Sequence, residues 1–301
     1  MLRFSKMHGA GNDFVMIEGI TQHFEPTPEA VQALCDRHFG IGADQLLLVE
    51  KSAGEEDFVY RIFNCDGSEV EMCGNGARCF ALFVRRLGLT GKTVITARTQ
   101  TRNVTMRLCE DGEFAVEMGV PELLLGPKHF SPAGVSQVEQ GGRSCYQVPT
   151  VEGYFTADLV AMGNPHAVIL TEERPSSATL ARCGRAIETS SVFPAKINVE
   201  FLKVITPSLA YVDVWERGTG ITLACGSGAC AAAVSGILRG ILDTTVRIVL
   251  PGGELTVFWD GDPQHSVTLK GPARWVFDSE VDLKQLIADV HSARRSGDHN
   301  D

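Results

Sequence analysis

The chain has 301 residues, of which 44% are apolar, enough for a sizeable core and one to three domains. Lys and Arg number 27 against 37 Asp and Glu, and the net charge of −10 argues against nucleic acid or an anionic membrane surface as partner. The N-terminus lacks the apolar run of a secretory signal, and the nine cysteines form no Cys-x-x-Cys pair, so we expect a cytoplasmic protein with reduced thiols and no zinc site.

Short runs of β-branched and apolar residues predict strands in both halves of the chain. Many of these runs follow one another without a helix between them, which favours mostly antiparallel sheets. The predicted strands are 14–17, 46–49, 58–63, 93–96 and 103–108 in the first half, and 167–170, 199–204, 210–215, 246–250 and 254–258 in the second.

Two predicted central helices, 75–87 and 227–238, are apolar or Ala-rich on nearly every face. A helix that is apolar all round is typically enclosed by other elements. Shorter peripheral helices are predicted near 28–38 and 180–187. The sequence therefore predicts an α+β fold in which each half is a mostly antiparallel sheet wrapped around a central helix.

The chain also contains a repeated motif. Cys73-Gly74-Asn75-Gly76-Ala77 and Cys225-Gly226-Ser227-Gly228-Ala229 lie 152 positions apart, and Gly11-Asn12 and Gly163-Asn164 keep the same offset. We interpret this as two similar domains related by a pseudo-twofold axis. The first would span 1–118 with a returning strand at about 270–280, and the second would span 119–269. A C-terminal helix and tail would fill 281–301, and we expect 291–301 to be frayed because it lacks an apolar anchor.

Each cysteine of the repeat lies where a loop enters a helix, and a helix N-terminus attracts carboxylates and thiolates. Such a position can lower a cysteine pKa from about 8.5 to between roughly 3.5 and 7.5. Two cysteines on opposite sides of one cleft could invert a tetrahedral carbon, one as base and the other as acid. Either motif alone is more simply explained by a structural cysteine beside close-packed glycines, but the pairing favours a catalytic role.

Further polar residues lie near the predicted strand ends. Asn64 ends one predicted strand, and the same offset of 152 matches it with Glu216. Arg217 offers the bidentate fork that suits a carboxylate. For each of these, a turn residue or a solvated ion pair is an alternative. The remaining candidates could equally be turn, packed or surface residues, and they are Asn12, Gln45, Asn164, His166 and Asn198.

Seven separated motifs occur along the chain. They are Gly11-Asn12-Asp13-Phe14, Gly40-Ile41-Gly42-Ala43-Asp44-Gln45, Phe63-Asn64-Cys65-Asp66-Gly67-Ser68, Met72-Cys73-Gly74-Asn75-Gly76-Ala77-Arg78, Gly163-Asn164-Pro165-His166, Glu216-Arg217-Gly218 and Ala224-Cys225-Gly226-Ser227-Gly228-Ala229. Together they resemble the diaminopimelate epimerase family, over residues from about 1 to 275. The chain departs from the family pattern at Ile221, where Glu is usual, and at Ser227, where Thr is frequent.

The resemblance implies an epimerase that interconverts LL- and meso-2,6-diaminopimelate without pyridoxal phosphate, often as a homodimer. Cys73 and Cys225 would exchange the proton, and no cofactor or metal is expected. The implied ligands of the reacting carboxylate are the backbone N–H groups of Gly74, Asn75, Gly226 and Ser227. Asn64, Asn164, Asn198 and Arg217 would hold the distal end, Asn12 and Gln45 would complete the pocket, and His166 and Glu216 would orient substrate and tune the thiols.

Two alternatives remain open at this stage. A proline or hydroxyproline racemase would share the fold and the paired cysteines, but proline has no distal carboxylate and amine to occupy Arg217 and the asparagines. A binding protein whose Cys73 and Cys225 only form a disulfide belongs to a different functional class. Exchange of the substrate α-proton with solvent distinguishes an epimerase from such a binding protein, which would not catalyse it.

Overall fold

The computed structural model describes residues 1–140 and 142–297, and within them the chain forms 19 strands and five α-helices. The chain divides into two compact units. Unit 1 consists of residues 1–116 and the segment from 272 onward, and unit 2 of residues 117–271. The first segment of unit 1 thus ends at Val116, shortly before the predicted domain boundary between residues 118 and 119.

Unit 1 is built on one twisted sheet in which β2–β3 and β4–β6 pair in parallel and the other pairs are antiparallel. The strand order is β19-β1-β2-β3-β4-β6-β7-β8, with β5 also beside β4. Its elements are β1 (Leu2–Gly9), β2 (Asn12–Glu18), α1 (Pro28–Cys35), β3 (Gln45–Lys51), β4 (Phe58–Asn64), β5 (Glu69–Val70), α2 (Gly74–Arg86), β6 (Val94–Arg98), β7 (Asn103–Leu108), β8 (Phe114–Gly119), β19 (Arg274–Val281) and α5 (Leu283–Gly297).

Unit 2 repeats this arrangement, with β12–β13 and β14–β16 as its parallel pairs. The strand order is β9-β10-β11-β12-β13-β14-β16-β17-β18, with β15 beside β14. Its elements are β9 (Gln137–Gln140), β10 (Arg143–Thr150), β11 (Gly153–Ala161), β12 (Pro165–Leu170), α3 (Ser177–Glu188), β13 (Asn198–Thr206), β14 (Leu209–Glu216), β15 (Gly220–Ile221), α4 (Gly226–Leu238), β16 (Thr245–Leu250), β17 (Gly253–Phe258) and β18 (Val267–Gly271).

The sequence repeat is therefore also a structural repeat, and the predicted α+β class with mostly antiparallel sheets is confirmed. Helices α2 and α4 have 13 residues each and start 152 positions apart. Gly11 and Gly163 both adopt a φ of +86°, a conformation that favours glycine. All ten predicted strands and four predicted helices are present, with small differences at their ends.

Each central helix is enclosed by the strands of its own unit. α2 packs on β1, β2, β3 and β7, and α4 packs on β11, β12, β13, β17 and β18. Ten residues of each helix are buried, including the first glycine of each, Gly74 and Gly226. Burial of small first-turn residues leaves the backbone of that turn open to close approach by another group.

The C-terminal segment completes the sheet of unit 1. β19 pairs antiparallel with β1, with Leu2 opposite Val281. α5 then packs on the core around α1 through Leu283, Leu286 and Ile287. The helix runs on to Gly297, so residues 291–297, for which the sequence predicted a frayed tail, are helical. Residues 298–301 of that predicted tail lie outside the described residues.

Several strands were not predicted, chiefly β1 and the β9–β11 hairpins. β9 reads Gln-Val-Glu-Gln and leaves alternate residues exposed, so it lacks the apolar run that identifies a strand. β1 carries Lys6 and His8 among its apolar residues. Among the described helices, none combines the length and apolar character needed to cross a membrane.

A buried ionic network ties α4 to the sheet of unit 2. The Asp158 carboxylate on β11 accepts hydrogen bonds from Arg239 Nε at 2.8 Å and Arg143 Nε at 3.1 Å, and also from the Ser235 hydroxyl. The side chains of Asp158 and Arg239 are each 1% exposed. The positive charge is tolerated inside the protein because its carboxylate partner is in place.

We therefore expect Asp158→Ala to destabilise the protein by about 3–5 kcal/mol, because it leaves a buried guanidinium without compensation. Glu254→Ala is the matched control, since its partner Arg247 is 55% exposed and surface pairs contribute about 0–1 kcal/mol. Urea unfolding followed by circular dichroism measures both variants. Equal losses of stability in the two variants would contradict the role given to the buried network.

Candidate functional site

Cys73 lies at the N-cap of α2 among amide side chains. Its thiol donates to Asn12 Oδ1 at 3.4 Å, and Asn75 Nδ2 donates to the same oxygen at 3.3 Å. Asn12 Nδ2 in turn donates to Asp44 Oδ2 at 2.9 Å. Three predicted site residues, Asn12, Cys73 and Asn75, are thus brought together in unit 1, and we call them with Asp44 the Cys73 cluster.

Two large buried side chains hold the first turn of α2 in place. The fully buried Arg78 donates to Asn75 Oδ1 at 2.7 Å and to the Gly74 carbonyl at 3.3 Å. Tyr60 donates its hydroxyl to the Cys73 carbonyl at 3.2 Å, and burial raises the pKa of this phenol well above its usual value. A Cβ at Gly76 would lie 2.6 Å from the Tyr60 hydroxyl, so only glycine fits beneath it.

Gln45 and Asn64 form a second group of predicted residues in unit 1. They are paired across β3 and β4, and Gln45 Nε2 donates to Asn64 Oδ1 at 3.0 Å. Asn64 Nδ2 also donates to the Ser68 hydroxyl at 3.3 Å. Both amides are half-buried at the ends of their strands, where their orientation is set by each other.

Cys225, at the N-cap of α4, has different surroundings from Cys73. Its sulfur accepts a hydrogen bond from the Gly228 amide at 3.3 Å and lies 3.5 Å from the Ser227 hydroxyl. Burial raises the pKa of the Cys225 thiol well above its usual value, and the negative charges of Glu216 and Glu200 raise it further. The hydrogen bonds from Ser227 and Gly228 act in the opposite direction but are outweighed.

The helix N-terminus therefore does not lower the pKa of Cys225, which matches the member of the predicted pair that remains a thiol. The field of a helix end acts over the first turn only, and here it competes with complete loss of hydration and with two nearby carboxylates. Cys225 is consequently a protonated thiol in this structure, which is the form needed by an acid.

Glu200 is fully buried on β13 and was missed by the sequence analysis. Its Oε1 lies 2.7 Å from His166 Nδ1, and His166 Nε2 lies 3.0 Å from Asn164 Oδ1. The imidazole thus lies between the Glu200 carboxylate and the Asn164 side-chain oxygen. A Cβ at Gly228 would lie 2.6 Å from Glu200 Oε1, which places the carboxylate directly behind the first turn of α4. We call Cys225, Ser227, Glu200 and His166 the Cys225 cluster.

The other predicted residues of unit 2 lie at the ends of β13 and β14. The buried Asn198 donates to the Pro165 carbonyl at 3.0 Å and accepts from the Arg217 amide at 2.9 Å, so its side chain connects two strand ends. The exposed Arg217 donates from NH1 to the Ala195 carbonyl at 3.2 Å. Glu216 accepts a hydrogen bond from the Thr222 hydroxyl at 2.6 Å.

Some residues of these clusters left a signal in the sequence. Glu200 stands two positions after Asn198 in an otherwise apolar run, and alternate residues of a strand share a face. Arg78 and Asp44 belong to the quoted motifs but were not assigned a contact. Tyr60 left no signal, because a tyrosine in an apolar strand is ordinary core. In the described part of the chain, no group of three or more His, Cys, Asp or Glu side chains is arranged to ligate a metal.

The charges around Cys225 lead to a testable expectation. Among the neighbouring charges, that of Glu216 raises the Cys225 pKa most, so Glu216→Gln should lower this pKa. At a pH below the pKa, each pKa unit of decrease raises the fraction of Cys225 present as thiolate about tenfold. The pH dependence of alkylation measures this, with tandem mass spectrometry separating Cys225 from Cys230 on the same tryptic peptide. The exposed Glu254→Gln is the control, and an unchanged or higher pKa in Glu216→Gln would refute the electrostatic assignment.

Comparison with known proteins assigns the chain to a family. The diaminopimelate epimerase family model matches residues 4–124 and 159–276. Diaminopimelate epimerases from Teredinibacter turnerae and Cupriavidus pinatubonensis are 47% and 46% identical, over 94% and 95% of the chain and 99% of each relative.

Solved structures at lower identity share the fold. A probable proline racemase from Agrobacterium radiobacter matches with a TM-score of 0.66 at 17% identity, over 94% of this chain and 93% of that one. A hydroxyproline epimerase from Agrobacterium vitis matches with a TM-score of 0.61 at 16% identity, over 92% and 91%. At such identities the likeness extends to the fold alone, whereas the family match and the near-complete relatives decide the assignment. The chain belongs to the diaminopimelate epimerase family.

Proposed function

We propose that this protein interconverts LL- and meso-2,6-diaminopimelate, a step in the synthesis of lysine and peptidoglycan precursors, by a two-thiol mechanism without pyridoxal phosphate. The observation that carries the proposal is the matched placement of Cys73 and Cys225, each at the N-cap of an enclosed helix. Proteins named diaminopimelate epimerase align with nearly the whole chain, which supports the same reaction here.

The α-proton of an amino acid is weakly acidic, so the enzyme must stabilise the charge that develops when it leaves. The first N–H groups of a helix lack intrahelical partners and carry partial positive charge. We assign the N–H groups of Gly74, Asn75, Gly226 and Ser227 to the α-carboxylate. Glycine and other small residues there allow the carboxylate to approach the backbone, and buried surroundings strengthen the interaction.

Inversion at carbon requires one proton carrier at each face of the α-carbon, and we assign Cys73 and Cys225 to these roles. The base takes the α-proton from one face while the acid delivers its own proton to the other. The raised pKa of Cys225 suits it to the acid role in the turnover that starts from a Cys73 thiolate. After that turnover Cys73 holds the proton, so the reverse reaction starts from there with the roles exchanged.

The distal ammonium and carboxylate of the substrate require separate ligands. We assign the distal carboxylate to Arg217 with Asn64, Asn164 and Asn198, and Asn12 and Gln45 to the completion of the pocket. Glu216 and His166 orient substrate and tune the thiols, which is supported by the effect of Glu216 on Cys225 and by the contact of His166 with Glu200. Asn198 Oδ1 accepts the backbone N–H of Arg217, which supports assigning both residues to the same end of the substrate.

We further propose that the protein is a cytoplasmic homodimer. All nine cysteines are free, a state typical of proteins in a reducing compartment. Val276 and Phe277 on β19 are 54% and 45% exposed, and adjacent exposed apolar side chains suit a surface covered by a second copy.

The first test of the proposed function is solvent exchange. The reduced protein, incubated with LL-diaminopimelate in deuterium oxide, should place deuterium at Cα of the meso product. Cys73→Ala and Cys225→Ala should each lower the rate of inversion by about 10²- to 10⁴-fold, because one face loses its proton carrier. Cys109→Ala is the control and should match the wild type. Meso product without deuterium, or a near-normal rate of inversion in Cys73→Ala or Cys225→Ala, would contradict the two-thiol mechanism.

Arg217 tests the assignment of the distal carboxylate. Arg217→Lys keeps the charge but loses the bidentate fork, so kcat/KM for diaminopimelate should fall by about 10- to 100-fold, as expected for a charge-assisted hydrogen bond worth about 1.5–3 kcal/mol. Arg182→Lys, on the exposed face of α3, is the matched control. Steady-state kinetics measure kcat/KM for both variants. Equal values for Arg217→Lys and Arg182→Lys would exclude a role of Arg217 in binding the distal carboxylate.

A further inference from the structure

Two cysteines of unit 1 that the proposed mechanism does not use lie beside each other. Cys35 is the last residue of α1, and Cys65 follows the last residue of β4. The loop segment 43–44 joins them, because the Ala43 amide donates to the Cys35 carbonyl at 3.2 Å while the Cys65 thiol contacts the Ala43 carbonyl at 2.9 Å. The Cys65 thiol also contacts the Asp44 carbonyl at 3.0 Å.

The turn that carries Cys65 is fastened to α1 by further contacts. Gln32 Nε2 on α1 donates to the Asp66 carbonyl at 2.9 Å. A Cβ at Gly67 would lie 2.6 Å from Pro28 Cα, so the turn touches the first residue of the helix as well. Contacts at both ends of α1 fix the turn against it, and the proximity of the two thiols is a consequence of this packing.

The two thiols influence each other's ionisation but differ in access to solvent. Cys35 is 3% exposed, whereas Cys65 is exposed. Their interaction raises the pKa of Cys35 and lowers that of Cys65, and Arg37 lowers the pKa of Cys65 too. Burial and the carboxylates of Asp44 and Asp13 oppose ionisation of Cys65, and the two carbonyl contacts hold its proton. Solvent access rather than acidity therefore makes Cys65 the thiol that reacts first.

We propose that Cys65 is a site of oxidation by hydroperoxides and that Cys35 is its resolving thiol. An exposed cysteine next to a second, sheltered thiol is the arrangement found at reversible redox sites. Both cysteines contact the segment 43–44, and disulfide formation requires their sulfurs to approach to about 2.05 Å. The oxidant is a small peroxide, because the buried Cys35 lies on the inner side of Cys65 and leaves no space there for a larger molecule.

The chemistry balances with hydrogen peroxide as the oxidant. The Cys65 thiolate attacks one peroxide oxygen, the O–O bond breaks, and the second oxygen leaves as water after taking a proton, which gives Cys65 sulfenic acid. The Cys35 sulfur then attacks the Cys65 sulfur, the S–O bond breaks, and the thiol proton leaves with the hydroxyl as a second water. In total two thiols are oxidised to one disulfide, and one peroxide is reduced to two waters.

The disulfide would alter the neighbouring residue Asn64, since Cys65 is attached to it directly. Asn64 accepts from Gln45 at 3.0 Å, and drawing Cys65 towards α1 shifts the end of β4 on which this hydrogen bond depends. This consequence rests on the proposed function, which assigns Asn64 to substrate. The oxidation site itself does not depend on it.

Peptide mapping tests the site without any activity measurement. The reduced full-length protein is treated with hydrogen peroxide, its remaining thiols are blocked, and it is digested with trypsin and a glutamate-specific protease. The second protease is needed because Cys65 and Cys73 share the stretch 62–77, which has no Lys or Arg, whereas Glu69 and Glu71 lie between them. We expect a crosslink between Cys35 and Cys65 that dithiothreitol reverses.

Variants assign the two roles. In Cys35→Ala the resolving thiol is missing, so Cys65 should accumulate as sulfenic acid that dimedone traps. In Cys65→Ser, a change at an exposed position, Cys35 should stay reduced. Cys109, a partly exposed thiol of unit 1 whose sulfur lies 3.9 Å from the Arg107 carbonyl oxygen, is the internal control and should oxidise more slowly than Cys65. Oxidation of Cys65 no faster than Cys109, or pairing of Cys65 with a thiol other than Cys35, would overturn the proposal.

The effect on substrate binding is measured separately. Wild type and Cys35→Ala receive the same peroxide treatment, and KM for diaminopimelate is determined before and after. A several-fold rise in KM that occurs only in the wild type and is reversed by dithiothreitol reports the disulfide, since losses common to both proteins come from other thiols. An unchanged KM with the crosslink present refutes the effect on Asn64, and a protein without epimerase activity leaves the mapping result intact.

Discussion

The enclosed start of a helix is the constraint on which the rest of the structure depends. α2 and α4 are each surrounded by the strands of their own unit, and each is preceded by a cysteine at the N-cap. An exposed helix end would offer its N–H groups to water. An enclosed one holds them for a ligand, provided that the residues of the first turn are small and that the neighbouring side chains leave space. Gly76 and Gly228 meet the first condition, since a Cβ at either position would lie only 2.6 Å from the group behind it.

The groups behind those two glycines differ, and this difference distinguishes the two cysteines. Gly76 and Gly228 are equivalent in the repeat, being 152 positions apart. Tyr60 stands behind the first, and Glu200 behind the second. A buried phenol stays neutral, whereas a carboxylate opposes ionisation of a nearby thiol. The duplicated backbone thus carries different electrostatics in its two copies, which suits a reaction whose two proton carriers must begin in opposite protonation states.

The sequence was a good guide to the repeat and to the central helices, and a poorer one to their surroundings. The helix starts were predictable because a Cys-Gly-x-Gly motif before an Ala-rich run is a local pattern. Asn12 was assigned to the pocket through the family resemblance, but its contact with the Cys73 thiol was not predicted. The raised pKa of Cys225 could not be predicted, because it depends on burial and on Glu200, which is close to α4 only in the folded chain. The extent of α5 was underestimated although Leu283, Leu286, Ile287 and Val290 have helical spacing, since the surface that receives them comes from α1.

The pairing of β19 with β1 determines when unit 1 can be completed during synthesis. Leu2 lies opposite Val281, so the outer edge of β1 is covered only after β19 has been synthesised, which follows the whole of unit 2. Unit 2, in contrast, is one continuous segment that can reach its full set of contacts earlier. The usual order, in which the N-terminal part of a chain folds first, therefore does not suit this connectivity. Until β19 has been synthesised, β1 presents an unpaired edge to other nascent chains, and exposed edges of this kind promote aggregation.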